Sequence, residues 1–254
     1  RVKIKLGTAD QTAFSELVSE SDGNWTSNHR LRGRACVYLR FEYDQDVFPN
    51  GLPNIHFQVR GKKVYDPRTE TTVWSANPAL CIADYITNTK YGLGATYATE
   101  IDEDSLVASA NICDENVNLA DGGTEDRYQC HGVFETNATP QDIINALLTS
   151  MAGKAIFTGG VWRILAGAYY TPTVTFDEDD LRDGFKVQTL VSRRENFNCV
   201  KGVFNSAVDN YVATDFPPIV SNTFIAQDNG QAVYKDIELS FTSSASMAQR
   251  LAKI

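Results

Sequence analysis

The chain has 254 residues and a mass of 28.1 kDa, with 43% hydrophobic and 22% charged residues. It is long enough to bury a sizeable core, and its composition is that of a folded globular protein, which excludes a disordered tail. The 23 Lys and Arg residues against 32 Asp and Glu residues give a net charge of -9, which argues against a general nucleic-acid-binding surface. The sequence also has no apolar run long enough for a membrane-spanning helix and no signal-peptide core at its start.

The first third of the chain has the pattern of β structure. Residues 37–42 and 55–60 alternate apolar and polar side chains, which is the period-two pattern of half-buried strands. Gly61 is expected to turn the chain after the second strand. The Asp-Pro-Arg-Thr sequence of residues 66–69 predicts another turn, in which the Asp66 carboxylate bonds to the backbone ahead of it.

Two helices are predicted next. Asn77 is a favourable N-cap and Pro78 suits the first helical position, so the first helix begins there, and Gly92 and Gly94 are expected to end it. The second is predicted over residues 102–116, because its first turn is acidic and therefore suits the positive end of the helix dipole.

A helix followed by a hairpin is predicted from Thr139 onward. Thr139 acts as the N-cap with Pro140 at the first position, and an apolar stripe continues to Gly153. Two short apolar strands then flank Gly159-Gly160, a pair that supplies the positive φ angles of a tight hairpin turn. A helix packed on a hairpin is the expected product.

The rest of the chain is again predicted to be rich in strands, with a helix at its end. The predicted strands are residues 127–135, 173–176, 185–190, 198–205 and 233–241. The final stretch SASMAQRLAKI places Met247, Leu251 and Ile254 on one helical face. Because the chain begins at Arg1 and stops within this helix, we expect it to be part of a longer polypeptide.

Several polar clusters invite a chemical interpretation. Residues 114–125 partly match a calcium loop, but the position of the essential glycine holds Leu119, so a plain polar loop is favoured. The acidic run Asp177–Asp180 resembles a metal or glycosidase carboxylate cluster, but it more simply starts a short helix. The basic pair Arg193-Arg194 is interpreted as a solvated or ion-pairing segment.

The cysteine and histidine residues give no catalytic or metal-binding motif. The five cysteines contain no CxxC pair and fit small buried thiols in a reducing cytoplasm. Cys130 and His131 are adjacent, but neighbours on a strand point to opposite faces, which disfavours a nucleophile and base. We therefore predict no catalytic, cofactor-binding or metal-binding residue, and interpret residues 60–94, where charged residues and Cys81 are concentrated, as the crossing from a β module into a helical one.

Five blocks of the sequence resemble, in the same order, the tail tip attachment proteins of lambda-like long-tailed phages, also called protein J or host specificity proteins. The blocks are GKKVYDPRTETTVWSANPALCIADYITNTKYGLG, RYQCHGVF, ATPQDIINALLTSMAGKAIFTGGVWRILAGAY, ENFNCVKGVF and AQRLAKI. The similarity covers nearly all of the chain from about Asn54 onward.

The resemblance implies an α+β, β-rich fold: tail-hub-like β-barrel or split-barrel modules with an inserted helical and α-β-hairpin module. The expected modules are a β-rich hub module at 1–66, an α+β hub module at 67–195, and strands returning to a hub barrel plus the start of a C-terminal helix at 196–254. It also implies a structural protein of the virion tail tip, made in the bacterial host cytoplasm, with no enzymatic activity and no cofactor.

The partners implied by the resemblance are two further copies in a homotrimeric ring, other tail tip and tail tube proteins, and a host outer-membrane receptor bound through regions outside this chain. No specific nucleic-acid binding is expected. Two alternatives stay open. One is a receptor- or carbohydrate-binding module that uses exposed Trp25, Trp74 or Trp162, and the other is a tail-associated hydrolase that uses Asp177 and Asp180.

Overall fold

The computed structural model describes residues 1–182, 184, 186–187 and 196–254. The chain divides into two compact units, Arg1–Val59 and Arg60–Ile254. Helices alternate with small sheets in which most neighbouring strands are antiparallel, so the predicted α+β class is confirmed. Within the described ranges the strands close into no barrel. The three-module division at 66 and 195 stays a prediction.

The first unit is a two-stranded sheet with one short helix. Strand β1 (Val2–Leu6) pairs in antiparallel fashion with β2 (Ala35–Leu39), and helix α1 (Ser15–Glu20) lies between them in the sequence. Of its described residues only Gln11 and Phe14 are buried. The unit therefore holds very little core of its own.

The second unit contains the remaining elements. In chain order they are β3 (Lys63–Asp66), β4 (Thr71–Trp74), α2 (Pro78–Thr87), α3 (Tyr97–Glu100), α4 (Glu103–Cys113), β5 (Asn116–Asn118), β6 (Thr124–Asp126), α5 (Pro140–Thr149), β7 (Lys154–Thr158), β8 (Val161–Leu165), a 3-10 turn (Glu178–Asp180), β9 (Cys199–Ser206), β10 (Val212–Asp215), β11 (Ile219–Val220), α6 (Asn222–Gln227), β12 (Tyr234–Leu239) and α7 (Ala245–Lys253).

Helix α2 is the centre of this core. Seven of its ten residues are buried, which is typical of a helix that is enclosed on all sides. It packs against α4, α5, β3 and β8. Its start is as predicted, because the Asn77 side chain caps the amides of Ala79 and Leu80, while its end comes earlier than predicted, at Thr87.

Gly92 has a different role from the one predicted. It does not adopt the left-handed conformation that ends helices, whereas Gly94, the other predicted helix end, does so with a φ of 73°, although α2 has already ended at Thr87. A side chain on Gly92 would put a Cβ atom 1.7 Å from the Tyr85 carbonyl oxygen. The glycine therefore lets the chain after α2 fold back closely onto the helix.

The predicted helix and hairpin are confirmed. Thr139 caps α5 by accepting a hydrogen bond from the Asp142 amide, and β7 pairs with β8 across Gly159 and Gly160, whose φ angles are 62° and 83°. Helix α4 begins close to its predicted start, with Asp102 as its N-cap instead of a first-turn residue, and it ends earlier than predicted, at Cys113. It packs on the same hairpin, where the Ser109 hydroxyl donates to the Ile164 carbonyl at 2.7 Å.

Strand β9 is the centre of the largest sheet. On one edge it pairs in parallel with β12 along Cys199–Phe204. On the other edge it pairs in antiparallel fashion with β10 and β11, which the sequence Phe216-Pro217-Pro218 separates. Proline has no amide to donate, which explains the interruption. The predicted strands at 198–205 and 233–241 are thus confirmed.

Three predicted strands are wrong. Residues 55–60 and 173–176 form no strand, and most of their apolar side chains are exposed, because alternation makes a strand only where another strand offers backbone partners. Residues 127–135 pair with no strand. The Cys130 amide donates to the Ala76 carbonyl and the His131 amide to the Phe241 carbonyl, so these backbone groups bond elsewhere.

Some predictions fall outside the described residues. These are the Arg193-Arg194 pair and most of the predicted strand at 185–190. The C-terminal helix is confirmed as α7, with Met247 and Leu251 buried, while Ile254 is 71% exposed because the helix ends before it.

Candidate functional site

Arg68 is the centre of the charged stretch that most resembles an active site. Its guanidinium donates to Asp66 Oδ1 at 2.9 Å and Oδ2 at 2.8 Å, and Nη2 lies 2.8 Å from Asp114 Oδ2. Nη1 donates to Asn111 Oδ1 at 3.0 Å. The hydrogen bonds from Arg68 are the main reason why the pKa of the Asp66 carboxyl lies below its usual value.

Asn77 joins this group to helix α4. Its Oδ1 caps α2, and its Nδ2 donates to the Ala110 carbonyl at 2.9 Å and to Asp114 Oδ1 at 2.8 Å. We call the set of Asp66, Arg68, Asn77, Asn111 and Asp114 the Arg68 cluster. Its polar atoms bond to one another and to backbone, so the cluster joins the β3–β4 turn to α2 and α4.

The predicted turn at 66–69 belongs to this cluster. It connects β3 and β4, and the Arg68 amide donates to Asp66 Oδ1 at 3.0 Å, as the sequence predicted. The sequence did not predict that Asp114, at the first position of the possible calcium loop, pairs with Arg68.

The last position of that possible calcium loop is used in the same way. Glu125 accepts hydrogen bonds from Ser244, Ser246 and Arg250 at 2.7–2.9 Å, and Arg250 also donates to the Arg127 carbonyl. Burial raises the pKa of Glu125, but these hydrogen bonds outweigh it and hold the pKa below its usual value. We call Glu125, Arg127, Ser244, Ser246 and Arg250 the Glu125 cluster; it ties α7 to the β5–β6 hairpin.

The cysteines of the second unit have the character of structural thiols. Cys81 neighbours Cys130 in space, and hydrogen bonding with that thiol, together with burial, raises the pKa of Cys81. Burial is also the main reason why the pKa of Cys113 is raised to about 12. A thiol with a raised pKa holds little of the reactive thiolate at neutral pH, so neither group is suited to nucleophilic attack.

Cys130 and His131 form no catalytic pair in the structure. The His131 Nε2 atom lies 3.2 Å from Gln129 Oε1, and burial lowers the pKa of the imidazole. Cys130 instead neighbours Cys81 on α2. The contact between these two cysteines, 49 positions apart, is one that no local sequence pattern indicates.

The acidic run begins a short helical turn, as predicted. Asp177 caps the 3-10 turn by accepting from the Asp179 amide at 3.0 Å, while Asp180 Oδ2 accepts from the Asp177 amide at 3.1 Å. All four carboxylate residues of the run are exposed. Across the described ranges, no group of three or more His, Cys, Asp or Glu side chains is arranged to hold a metal ion.

The three tryptophans lie in separate local environments. Trp25 stacks on His29 with ring centroids 4.7 Å apart, and Trp74 lies under the Arg60 guanidinium at 5.2 Å. Trp162 packs against the core and, at 5.0 Å, against Phe157. Each ring has a partner of its own, which is the ordinary use of these large side chains.

A surface groove in the first unit has cationic walls. Its volume is about 760 Å³, and Lys3, Lys5 and Phe14 line it. Lys3 pairs with Glu16 at 2.9 Å, and Lys5 donates to the Thr12 carbonyl at 2.6 Å while lying over the Phe14 ring. The Lys3 charge is thus paired with a carboxylate, whereas the Lys5 ammonium is bonded to neutral oxygen atoms of Thr12 and Ala13.

The described part of the chain contains no helix that is both long and apolar enough to cross a membrane.

No protein-family model matches the sequence. A curated protein that is similar to it is the tip attachment protein J of Escherichia phage SECphi27, at 26% identity over 186 residues. The match covers 67% of this chain and 16% of that protein, so the chain spans about a sixth of that relative's length. The predicted resemblance is confirmed.

Proposed function

Because this chain is related to the tail tip attachment proteins of phages, we propose that it is a structural part of a phage tail tip and not an enzyme. The relationship over 186 residues is the observation that carries this proposal. The structure supports it through what its polar residues do, since the Arg68 and Glu125 clusters hold secondary-structure elements together instead of surrounding a substrate site.

In the finer form of the proposal, three copies form a ring at the distal end of the tail tube. The ring contacts other tail tip and tail tube proteins, and regions outside this chain bind the host receptor. Tail-hub-like barrels and the three modules at 1–66, 67–195 and 196–254 would then form in the assembled tail. The net charge of -9 suits a conduit that repels the DNA backbone instead of retaining it.

Labelling of intact virions tests the function. An epitope tag placed in an exposed turn of the chain, with gold-conjugated antibody, should mark the distal end of the tail in electron micrographs. The tag fits at Gly122-Gly123, which lies in the exposed β5–β6 turn. Label on the capsid or along the tail shaft, or virions without the protein, would contradict a tail tip role.

A binding assay separates this function from the receptor-binding alternative. The purified chain, labelled with a fluorophore, should not bind host cells above the level of an unrelated protein, because the receptor-binding parts lie elsewhere in the proposal. Saturable binding that is lost in a Trp74→Ala variant would favour the receptor- or carbohydrate-binding module instead.

A further inference from the structure

Two cysteines of the second unit lie side by side. The thiols of Cys81 and Cys130 are hydrogen-bonded to each other, although 49 positions separate them in the sequence. Contacts with the backbone before α2 place both of them there. Cys81 Sγ lies 3.8 Å from the Ser75 carbonyl oxygen, and the Cys130 amide donates to the next carbonyl, that of Ala76, at 2.7 Å. The same short segment thus holds the two cysteines in one place.

A small reagent can reach both of these thiols. Cys81 is one of the few residues of α2 that are not buried, and Cys130 is likewise only partly buried. The other cysteines of this unit differ, because Cys113 is 0% exposed and Cys199 is 1% exposed. Reaction of the folded chain with a reagent in solution therefore favours Cys81 and Cys130.

A covalent bond between these two cysteines would join separate parts of the second unit. Cys81 belongs to the central helix α2, whereas His131, which follows Cys130, donates its amide to the carbonyl of Phe241, just after β12, at 2.9 Å. A cross-link that closes 49 positions of chain restricts the unfolded state far more than the folded one. The bond would therefore stabilise the connection between α2 and the β9 sheet.

We propose that Cys81 and Cys130 form a reversible disulfide, which is absent in the reducing cytoplasm and forms when the chain meets a small-molecule disulfide outside it. One thiolate attacks a sulfur atom of the small disulfide and releases one small thiol. The other thiolate then attacks the protein-bound sulfur and releases the second small thiol. The two cysteines are oxidised, the small disulfide is reduced, and the two cysteine protons end on the released thiols. Only the exit from the cytoplasm rests on the proposed tail tip function.

Proximity drives the second of these steps. The pKa of Cys81 is raised, so its thiolate is scarce at neutral pH and the exchange is slow. A neighbouring thiol, however, acts at a far higher effective concentration than a thiol in solution. The internal bond should therefore replace the mixed disulfide as soon as that forms. The cross-link adds stability and performs no reaction on a substrate.

Mass spectrometry and thermal unfolding test the pair on the purified 254-residue chain. The fully reduced chain is incubated with oxidised glutathione in mildly alkaline buffer. The wild type should lose the mass of two hydrogen atoms, and a non-reducing digest should contain a peptide that joins Cys81 to Cys130. Its midpoint of thermal unfolding should rise by about 5 to 10 °C, and dithiothreitol should reverse both changes.

Single substitutions provide the controls. Cys81→Ser and Cys130→Ser should each form no internal bond and show no rise in the unfolding midpoint. Cys36→Ser, which alters the cysteine of the first unit, should behave like the wild type. A chain that keeps its thiols or stops at glutathione adducts overturns the inference. So does a cross-link through Cys113 or Cys199, or an internal bond that leaves the midpoint unchanged.

Virions separate this inference from the function. Particles collected in a thiol-blocking reagent should give the same linked peptide. If the purified chain forms the bond but the chain in virions holds only blocked thiols, oxidation on leaving the cytoplasm is overturned and the tail tip proposal stands. Virions that lack the chain contradict the tail tip proposal instead, while the result on the purified chain still decides whether Cys81 and Cys130 pair.

Discussion

The two units differ in how they use their apolar residues. The second unit encloses a continuous cluster of buried side chains around α2, whereas only Phe14 among the apolar residues of the first unit is buried. A unit of 59 residues is near the size at which a single hydrophobic core gives only marginal stability. The second unit therefore holds its own fold, while the first leaves most of its apolar residues at least partly exposed.

The sharpest way to test this difference is to remove the same side chain from each unit. Leu80→Ala in α2 deletes a completely buried side chain and should lower the free energy of unfolding by about 3 kcal/mol through the cavity it leaves. Leu52→Ala, at a 70% exposed leucine of the first unit, should change it by less than about 0.5 kcal/mol. Urea unfolding followed by circular dichroism measures both, and equal losses would show that the two units are packed alike.

The next effect concerns the Arg68 cluster. Arg68→Ala removes the ionic partner of the Asp66 carboxylate, whose side chain is only 12% exposed. The substitution should lower the free energy of unfolding by about 2 to 3 kcal/mol. Arg127→Ala, the control, removes a partly exposed ion pair with Glu115. It should lower the free energy of unfolding by less than about 1 kcal/mol. Urea titrations of the two variants beside the wild type give the values. Similar small losses would mean that the cluster adds nothing to the second unit.

Acid should remove the same stabilisation. The folded-state pKa of Asp66 is depressed, so its contribution is present above the pKa of about 3.9 in the unfolded chain and is lost as the pH falls through the lower folded-state value. The difference in unfolding free energy between the wild type and Arg68→Ala should therefore shrink below about pH 4. A difference that stays constant from pH 7 to pH 2 would assign the loss to packing and not to charge.

The two proline-started helices of the second unit offer a smaller, matched comparison. Both Asn77 and Thr139 cap a helix. The loss of a cap alone lowers the free energy of unfolding by about 1 kcal/mol. Asn77 is also buried, and its side chain donates to the Ala110 carbonyl and to Asp114. Asn77→Ala should therefore lower the free energy of unfolding by about 2 kcal/mol, and Thr139→Ala by only about 1 kcal/mol. Thermal and urea unfolding of the two variants give the values. Equal costs would show that the contacts of Asn77 beyond its cap add no stability.

The smallest effect is expected from Cys81→Ser. The thiol has a raised pKa and no catalytic partner, so infectivity of a phage carrying the variant should equal that of the wild type in a plaque assay. Cys36→Ser, which alters the only cysteine of the first unit, is the control. Lost infectivity with an unchanged circular dichroism spectrum would reveal a chemical role for Cys81.

Local signals in the sequence predicted the second unit better than the first. A cap with proline at the first position, as at Asn77 and Thr139, and the glycine pair in the β7–β8 turn each define a structure within a few residues. Strand 55–60 was predicted from alternation alone and did not form, because a strand also needs a partner that local sequence does not specify. Helix α1 has only six residues and no side-chain cap, so it gave no comparable signal.

The candidate site could be predicted only in part. The turn bond of Asp66 was predicted, because it spans two residues. The pairing of Arg68 with Asp114 and the contact of Cys81 with Cys130 join distant segments through the tertiary fold, and no periodicity or spacing encodes them. The important residues of the 60–94 stretch could therefore be predicted from the sequence, but the partners that give them a structural role could not.

The Glu125 cluster also affects the order in which the chain can fold. Arg250 reaches Glu125 across 125 positions, and Ser244 and Ser246 reach it across 119 and 121. Contacts between residues so far apart close large loops and slow folding. During synthesis, the β5–β6 hairpin must leave the ribosome long before α7 exists to hold it. The bonds between this hairpin and α7 can therefore form only after translation has passed residue 250, whereas the contacts of α2 with α4 and β8 need no residue beyond 165.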